Sequence, residues 1–267
     1  MKRFSYLALF FCALFNSCVF SDAQVVWLST RNMDFTDCDR EERRVAGFDG
    51  IRNTCPFDVI YEQSDEQYVV VEGDEEYFDR LHTDVRKGVL EISVEKGRYR
   101  NVRLRVKVGC PEISQISMSG SGSIICKTDI EADGELTLKV SGSGDIYANN
   151  IGCDILESSV LGSGEIKVSY IDADKVNVSV TGSGDWDADE IESENLNIVL
   201  SGSGDVEIAK VDIDGSLNAT VKGSGDIDVS GYASNVVASV IGSGDISGRL
   251  RYDNISRTRS GSGDIDW

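Results

Sequence analysis

The tripeptide Gly-Ser-Gly occurs eight times from residue 120 onward, and it constrains the fold more than any other feature of the sequence. Successive copies are 19 to 22 residues apart, and 16 of the 27 glycines belong to them. A period of this length is typical of repeat architectures in which each repeat packs only on its neighbours. The first glycines of the eight copies are Gly120, Gly142, Gly162, Gly182, Gly202, Gly223, Gly242 and Gly261.

Between the glycines, apolar and polar side chains alternate with a step of two, which is the period of a half-buried strand. Coils stacked one strand spacing apart, about 4.8 Å, would place equivalent apolar residues in one internal column. A single coil buries nothing, so neighbouring coils must complete each other's core. The column expected four residues after each first glycine contains Ile146, Ile166, Trp186, Val206, Ile227 and Ile246.

The sequence therefore predicts an all-β fold, a single-stranded parallel β-helix (solenoid) with about 20 residues per turn over residues 118–267. The general handedness of parallel crossovers predicts that it is right-handed. The glycines suit its corners, because a turn between strands needs backbone conformations with positive φ that a Cβ opposes.

Residues 24–117 lack the repeat but remain rich in β-branched residues. Strands are predicted at Tyr68–Glu72, Gly88–Val94 and Val102–Val108, and one helical turn at Glu75–Leu81. We interpret residues 24–117 as the β-rich N-terminal part and cap of the solenoid, because a bare terminal coil would expose the core.

Four segments carry a resemblance to a known family: Phe48-Asp49-Gly50-Ile51, Gly88-Val89-Leu90-Glu91-Ile92, Pro111-Glu112-Ile113 and the repeated Val-x-Gly-Ser-Gly-Asp-Ile, as at Val140 to Ile146. With these segments the chain resembles the putative auto-transporter adhesin, head GIN domain family of exported proteins from Bacteroides-like bacteria. The resemblance covers nearly all of the mature chain. It implies a right-handed parallel β-helix and an exported location, and it implies no known reaction.

A basic start followed by an apolar stretch from Tyr6 to Phe20 indicates a signal peptide at residues 1–23. Cleavage before Gln24 and lipoprotein processing at Cys18 are both compatible with this segment and stay open. The stretch is shorter than the roughly 20 residues that span a bilayer, so no transmembrane span is expected after processing. The expected location is the periplasm, the outer membrane surface or the medium.

The mature chain has an odd number of cysteines, so at least one thiol lacks a partner within the chain. A disulfide framework is not indicated, and spacing alone does not decide any pairing. The five cysteines are Cys38, Cys55, Cys110, Cys126 and Cys153.

The formal net charge is −20, and residues 120–267 alone hold 26 acidic and 10 basic side chains. Nucleic acid is excluded as a partner, because phosphate binding requires a basic surface.

Stacked coils would also align the acidic residues that follow each corner, with like charges about 5 Å apart. One interpretation is that each carboxylate caps backbone amides at its own corner and faces solvent. The other is that Ca²⁺, which prefers oxygen ligands, sits between neighbouring carboxylates. We expect the helix to fold without calcium. The calcium candidates are Asp145, Glu165, Asp185, Asp205, Asp226 and Asp245.

Paired acids raise an enzymatic alternative, because parallel β-helices also host polysaccharide lyases and glycosidases, and glycoside hydrolysis uses two carboxyl groups. The pairs are Asp172 with Asp174, Asp187 with Asp189, and Asp212 with Asp214. In each pair the acids flank an apolar or small residue, which is also the pattern of a strand with a solvated face. No catalytic residue is assigned.

His82 has no recognisable partner spacing and is interpreted as a structural or surface residue. Among the aromatic residues, Trp186 and Tyr232 are expected in the core, and Tyr147 and Tyr170 on the outside. A run of basic residues is interpreted as the polar face of one strand, with contact to an anionic glycan or lipid headgroup as the alternative. The run consists of Lys96, Arg98, Arg100, Arg103, Arg105 and Lys107.

These observations favour a non-enzymatic, exported cell-surface or envelope scaffold of the adhesin type. The alternative is a carbohydrate-active enzyme on the same scaffold. The expected partner is an extracellular glycan or protein, and self-association stays open.

Overall fold

The computed structural model describes residues 34–267, so the predicted signal peptide and the candidate lipidation site Cys18 lie outside the described part. Within residues 34–267 the chain is nearly all strand, and the helix Glu75–Arg80 is a single 3-10 turn. The strands are β1 Asp39–Glu42, β2 Gly50–Asn53, β3 Asp58–Gln63, β4 Tyr68–Gly73, β5 Leu81–Arg86, β6 Val89–Val94, β7 Leu104–Cys110, β8 Gln115–Met118, β9 Ser123–Cys126, β10 Ile130–Glu131, β11 Glu135–Val140, β12 Asp145–Gly162, β13 Glu165–Gly182, β14 Asp185–Gly202, β15 Val206–Gly223, β16 Ile227–Gly242, β17 Ile246–Ser247 and β18 Leu250–Gly261.

The strands from β12 to β16 each form nearly a whole coil and pair in parallel with the coil before and after. The result is a β-solenoid of about 7 turns with roughly 20 residues per turn, which confirms the predicted fold class. Ile146 pairs with Ile166, which pairs with Trp186, and Val206, Ile227 and Ile246 continue the column. All six side chains are buried, so the predicted internal column is present.

Both glycines of a corner lie against the preceding coil, since a Cβ at Gly182 would lie 2.5 Å from the carbonyl oxygen of Gly162, and the first glycine has a second requirement. The first takes a positive φ in the later corners, for example +121° at Gly182, where a Cβ would be strained. The second lies directly on the corner of the preceding coil, and a Cβ at Gly204 would overlap the carbonyl oxygen of Gly184. The amide between them continues the ladder, since the N–H of Ser183 donates to the carbonyl of Gly162 at 2.9 Å.

Trp186 is the largest fully buried side chain of the described residues. Its indole Nε1 donates a hydrogen bond to Ser158 Oγ at 2.7 Å, and Ser158 is itself buried. A buried Trp N–H usually has such a partner, because an unpaired donor in the core is costly.

The N-terminal part continues the stack and also contains antiparallel pairs. β2 pairs in parallel with β8, and β3 with β9, so these strands add coils before the first complete repeat. β4 pairs antiparallel with β1 and β7, and β5 pairs antiparallel with β6. The three strands predicted in this part correspond to β4, β6 and β7, and the predicted helical turn corresponds to the 3-10 turn.

Candidate functional site

The carboxylates that follow the corners form a ladder along the outside of the solenoid. Asp185 Oδ1 accepts the backbone N–H of Asp205 at 2.9 Å, and Asp205 Oδ1 accepts that of Asp226 at 2.9 Å. These aspartates therefore cap an amide of the next coil, so the expectation that each carboxylate caps its own corner was wrong for them. The same contact joins Asp145 to Glu165, Asp226 to Asp245, and Asp245 to Asp264.

These charge-assisted hydrogen bonds offset the repulsion between neighbouring carboxylates. Among residues 34–267 no three His, Cys, Asp or Glu side chains converge closely enough to hold a metal ion. We expect that adding EDTA shifts the melting temperature by less than about 2 °C, because the amides rather than Ca²⁺ neutralise the ladder. Thermal melting followed by circular dichroism, with and without chelator, measures this; a loss of about 10 °C or more would establish the calcium interpretation.

The ladder is interrupted at Glu165, which is longer than the aspartates and takes part in a half-buried cluster. Tyr147 Oη donates to Glu165 Oε2 at 3.1 Å, and Lys167 Nζ lies 3.9 Å from Asp187 Oδ2. Burial raises the pKa of Asp187 to about 7. The hydrogen bond with Glu165 and the negative charge of Glu165 act in the same direction. Burial also raises the pKa of Asp145 above its usual range.

The raised pKa of Asp187 predicts a pH-dependent cost to stability. Because the folded pKa exceeds that of the unfolded chain, the ionised carboxylate destabilises the fold above pH 7, and this cost disappears as the pH falls below about 4. Asp187→Asn should therefore raise the melting temperature at pH 8 by about 3 °C and have little effect at pH 4. Melting curves of both proteins across this range measure it; an equal shift at both pH values would contradict the assignment.

An open groove of about 620 Å³ lies on the side of the coils next to the carboxylate ladder. It brings together two of the acid pairs identified in the sequence, whereas Asp187 and Asp189 lie outside it. Its six carboxylates are all exposed, and none of the nine lining residues is cationic. The lining residues are Asp172, Ala173, Asp174, Glu192, Ser193, Glu194, Asp212, Asp214 and Gly215.

The groove arises where one coil has an extra residue. The corners at Gly202 and Gly223 are 21 residues apart, and the register between β14 and β15 shifts beside Ser193. Gly215 accommodates the insertion, since a Cβ there would lie 2.6 Å from the carbonyl oxygen of Glu194. Ser193 is a structural residue, because its hydroxyl donates to the carbonyl of Asn195 at 2.9 Å and accepts the N–H of Asn195 at 3.1 Å.

Glu192 and Glu194 were missed as groove residues in the sequence. The repeat could have predicted their positions, because a shift of 20 residues in either direction aligns Glu192 with Asp172 and with Asp212. The alignment between coils covered only the acids that directly follow the corners, and away from the corners only aspartates within one coil were paired.

The basic run divides into two parts. Arg103, Arg105 and Lys107 project from one face at the start and along β7, as predicted for a strand's polar face. Arg103 pairs with Asp74 at 3.0 Å, and the other two pair with the buried Glu72. The prediction was wrong for the remaining three, because Lys96, Arg98 and Arg100 lie in the exposed connection between β6 and β7.

The other singled-out residues are on the surface or in the core. His82 is exposed, and its Nε2 lies 3.8 Å from Glu95 Oε1. Tyr147 and Tyr170 are partly exposed, as expected for outward positions. Tyr232 was wrongly expected in the core; it aligns with Asp212, and its hydroxyl donates to Asp253 Oδ2 at 3.0 Å.

All five cysteines of the described residues are free thiols. Burial raises the pKa of Cys55, Cys110 and Cys153 to about 11, and that of Cys126 to about 12. These four thiols are therefore protonated at neutral pH and are poor nucleophiles.

A family model described as "Putative auto-transporter adhesin, head GIN domain" matches residues 47–233. A solved structure described as a putative lipid binding protein from Parabacteroides distasonis is 26% identical with a TM-score of 0.76, and the match covers 86% of this chain and 96% of that chain. A putative adhesin from Parabacteroides merdae is 18% identical with a TM-score of 0.78, covering 86% and 95%. A putative adhesin from Bacteroides fragilis is 19% identical with a TM-score of 0.71, covering 86% and 97%.

The two less similar structures support the fold alone. A search of curated proteins found no match. Within residues 34–267, no helix has the length and apolar character needed to cross a membrane.

Proposed function

The chain belongs to the putative auto-transporter adhesin, head GIN domain family, and from this premise we propose that it is a non-enzymatic, exported scaffold of the cell surface or envelope with an adhesin-like binding role. The observation that carries the proposal is the exposed acidic groove on a rigid stack of coils. Its carboxylates are solvated, and none of its lining residues is cationic. This arrangement suits recognition of a partner's charge better than proton transfer.

The groove favours a partner with cationic or hydroxyl groups, such as a basic segment of an extracellular protein or a glycan. Six carboxylates within one groove would attract such a partner over a distance of about a Debye length. The lipid binding named for one relative is not carried over, because an acyl chain needs an apolar lining.

A scaffold of the cell surface or envelope must be exported. We place the mature chain in the periplasm, on the outer membrane surface or in the medium, released by cleavage before Gln24 or anchored through Cys18. Mass spectrometry of the mature N-terminus separates the two routes: a lipid-modified cysteine supports anchoring, and an N-terminal Gln24 supports release.

Binding and catalysis can be measured on the same ligands. The purified mature chain is applied to arrays of extracellular proteins and glycans, and each bound glycan is then tested for cleavage products. We expect binding without product formation, and weaker binding at high salt. Cleavage of a bound glycan that depends on the groove acids would support the carbohydrate-active enzyme instead.

A matched pair of variants tests the groove. Asp172→Asn combined with Glu192→Gln and Asp212→Asn removes three groove charges and should weaken binding by about 10-fold or more. The control, Asp189→Asn combined with Glu207→Gln and Asp228→Asn, removes three exposed charges from the adjacent side of the coils. Equal effects of the two variants would contradict a specific role of the groove.

A further inference from the structure

One side of the solenoid is almost free of charge. We call it the neutral face and define it by the outward positions one, three and five residues before the corner glycine that ends each strand from β12 to β16. Thirteen of its fifteen residues are uncharged, and the charged ones are Glu157 and Lys222. The fifteen are Glu157, Ser159, Leu161, Asn177, Ser179, Thr181, Asn197, Val199, Ser201, Asn218, Thr220, Lys222, Val237, Ser239 and Ile241.

The acids are concentrated on the other sides of the same coils. Residues 141–241 contain 18 acidic side chains, and 17 of them lie outside the neutral face. Each of these charges must stay hydrated, so the sides that carry them resist burial against another acidic surface.

The neutral face also carries the exposed apolar groups. The large hydrophobic side chains exposed among residues 34–267 are Leu161 at 40%, Val237 at 49% and Ile241 at 50%, and all three belong to this face. Depletion of charge combined with exposed apolar side chains is typical of the centre of a protein–protein interface.

We propose that the neutral face is a self-association surface whose occupant is a second copy of this chain. Two copies with strongly acidic coils repel each other on every other side, and only this face lets them approach without burying like charges. None of its fifteen positions is aromatic, so it offers no stacking platform for a sugar ring.

Two arginines oppose the addition of another copy's strand to the exposed edge of β18. Val240 and Ala238 continue buried internal columns, and the next positions in β18 are Arg259 and Arg257, both exposed. Charged residues at inward positions of an edge strand disfavour the addition of another strand. Addition of a second copy at β18 is therefore disfavoured.

The register favours an antiparallel pair. Leu161 and Ile241 occupy the same outward column, with Ser201 midway between them. A two-fold axis through the level of Ser201 would set Leu161 of one copy opposite Ile241 of the other, as an isologous interface requires. The coils β11 and β18 extend the neutral face at both ends and add Lys139 as a third charged residue. The extended surface measures about 30 by 20 Å, or roughly 1,200 Å² for two copies. This is the lower limit for a specific interface, so we expect a dissociation constant in the micromolar range.

Sedimentation velocity of the full mature chain over a range of concentrations, with single and paired variants, tests the proposal. Leu161→Glu and Ile241→Lys should each weaken dimerisation by about 10-fold or more, because each places an unpaired charge in the interface. Both residues are exposed in one copy, so the fold should tolerate the changes, and circular dichroism verifies this. The double variant should recover about 10-fold, since the two charges would face each other across the axis.

The control is Ala209→Glu, which adds a charge at an exposed position outside the neutral face and should leave the dimer unchanged. A chain that stays monomeric at hundreds of micromolar would overturn the proposal. So would a dimer that Ala209→Glu weakens and Ile241→Lys does not, or a double variant weaker than both single variants. Binding of a neutral glycan by a persistently monomeric chain would assign the face to that ligand instead.

Discussion

Replacement of Gly204 by alanine is expected to lower the free energy of unfolding by about 3 kcal/mol and the melting temperature by about 10 °C. A Cβ at this position would overlap the carbonyl oxygen of Gly184, which is fixed by the parallel ladder and cannot move as a side chain would. The two corners must separate, and the hydrogen bonds on both sides of them lengthen. Urea unfolding and thermal melting measure the loss.

Gly47→Ala is the matched control for this substitution. Gly47 is exposed, has an ordinary φ, and its added Cβ would approach nothing more closely than Gln67 Oε1 at 4.0 Å. The change in unfolding free energy should stay within about 0.5 kcal/mol. If the two alanines were equally costly, contact between stacked corners would not be the reason that glycine occurs at these positions.

The repeat part of the fold could be predicted because the spacing of the glycines and the alternation of apolar residues indicate the same coil. The corner glycines set the period, and residues such as Ile146 and Ile166 then share a column without any knowledge of distant contacts. Their alternation specifies which side chains point inward, since a one-residue slip would turn every side chain to the opposite face. Tyr232 was misplaced for this reason, because the alignment counted from the corner was off by one residue in its coil.

The surface could be predicted less well, because its features depend on small departures from the repeat. The groove depends on the one extra residue at Gly215, which is visible in the sequence only as a spacing of 21 in place of 20. The carboxylate ladder depends on which amide lies within reach of Asp185 Oδ1, and this is set by the stagger between coils rather than by residue order. The neutral face emerges only when outward positions are compared across coils.

The N-terminal part shows a further limit, since its central ion cluster joins residues from three strands. Glu72 in β4 is 1% exposed, and its carboxylate lies 3.1 Å from Arg40 Nε, 2.6 Å from Arg105 Nη2 and 3.6 Å from Lys107 Nζ. From the sequence, the two cations of β7 were interpreted as part of the polar face of a strand, and no spacing rule connects them to a glutamate more than thirty residues earlier.

Glu72→Gln is expected to lower the free energy of unfolding by about 2 to 3 kcal/mol, because it leaves three cations around a buried neutral amide. The cations are themselves 25 to 60% exposed, so water compensates part of the loss and the cost falls below that of a fully buried pair. Urea unfolding at low and high salt measures it, and the cost should persist at 1 M salt because the carboxylate is shielded from counterions.

Glu91→Gln supplies the comparison, because Glu91 also pairs with two arginines, at 3.5 Å each, but is 29% exposed. Its loss should cost less than about 1 kcal/mol, and salt should reduce that cost further. The two glutamates carry the same charge and undergo the same chemical change, so a larger cost at Glu72 measures the combined effect of its burial, its third cation and its closer arginine contacts. Equal costs at both sites would mean that the N-terminal part is held together by its β-sheet hydrogen bonds and apolar core, with the ion cluster contributing no more than an ordinary surface pair.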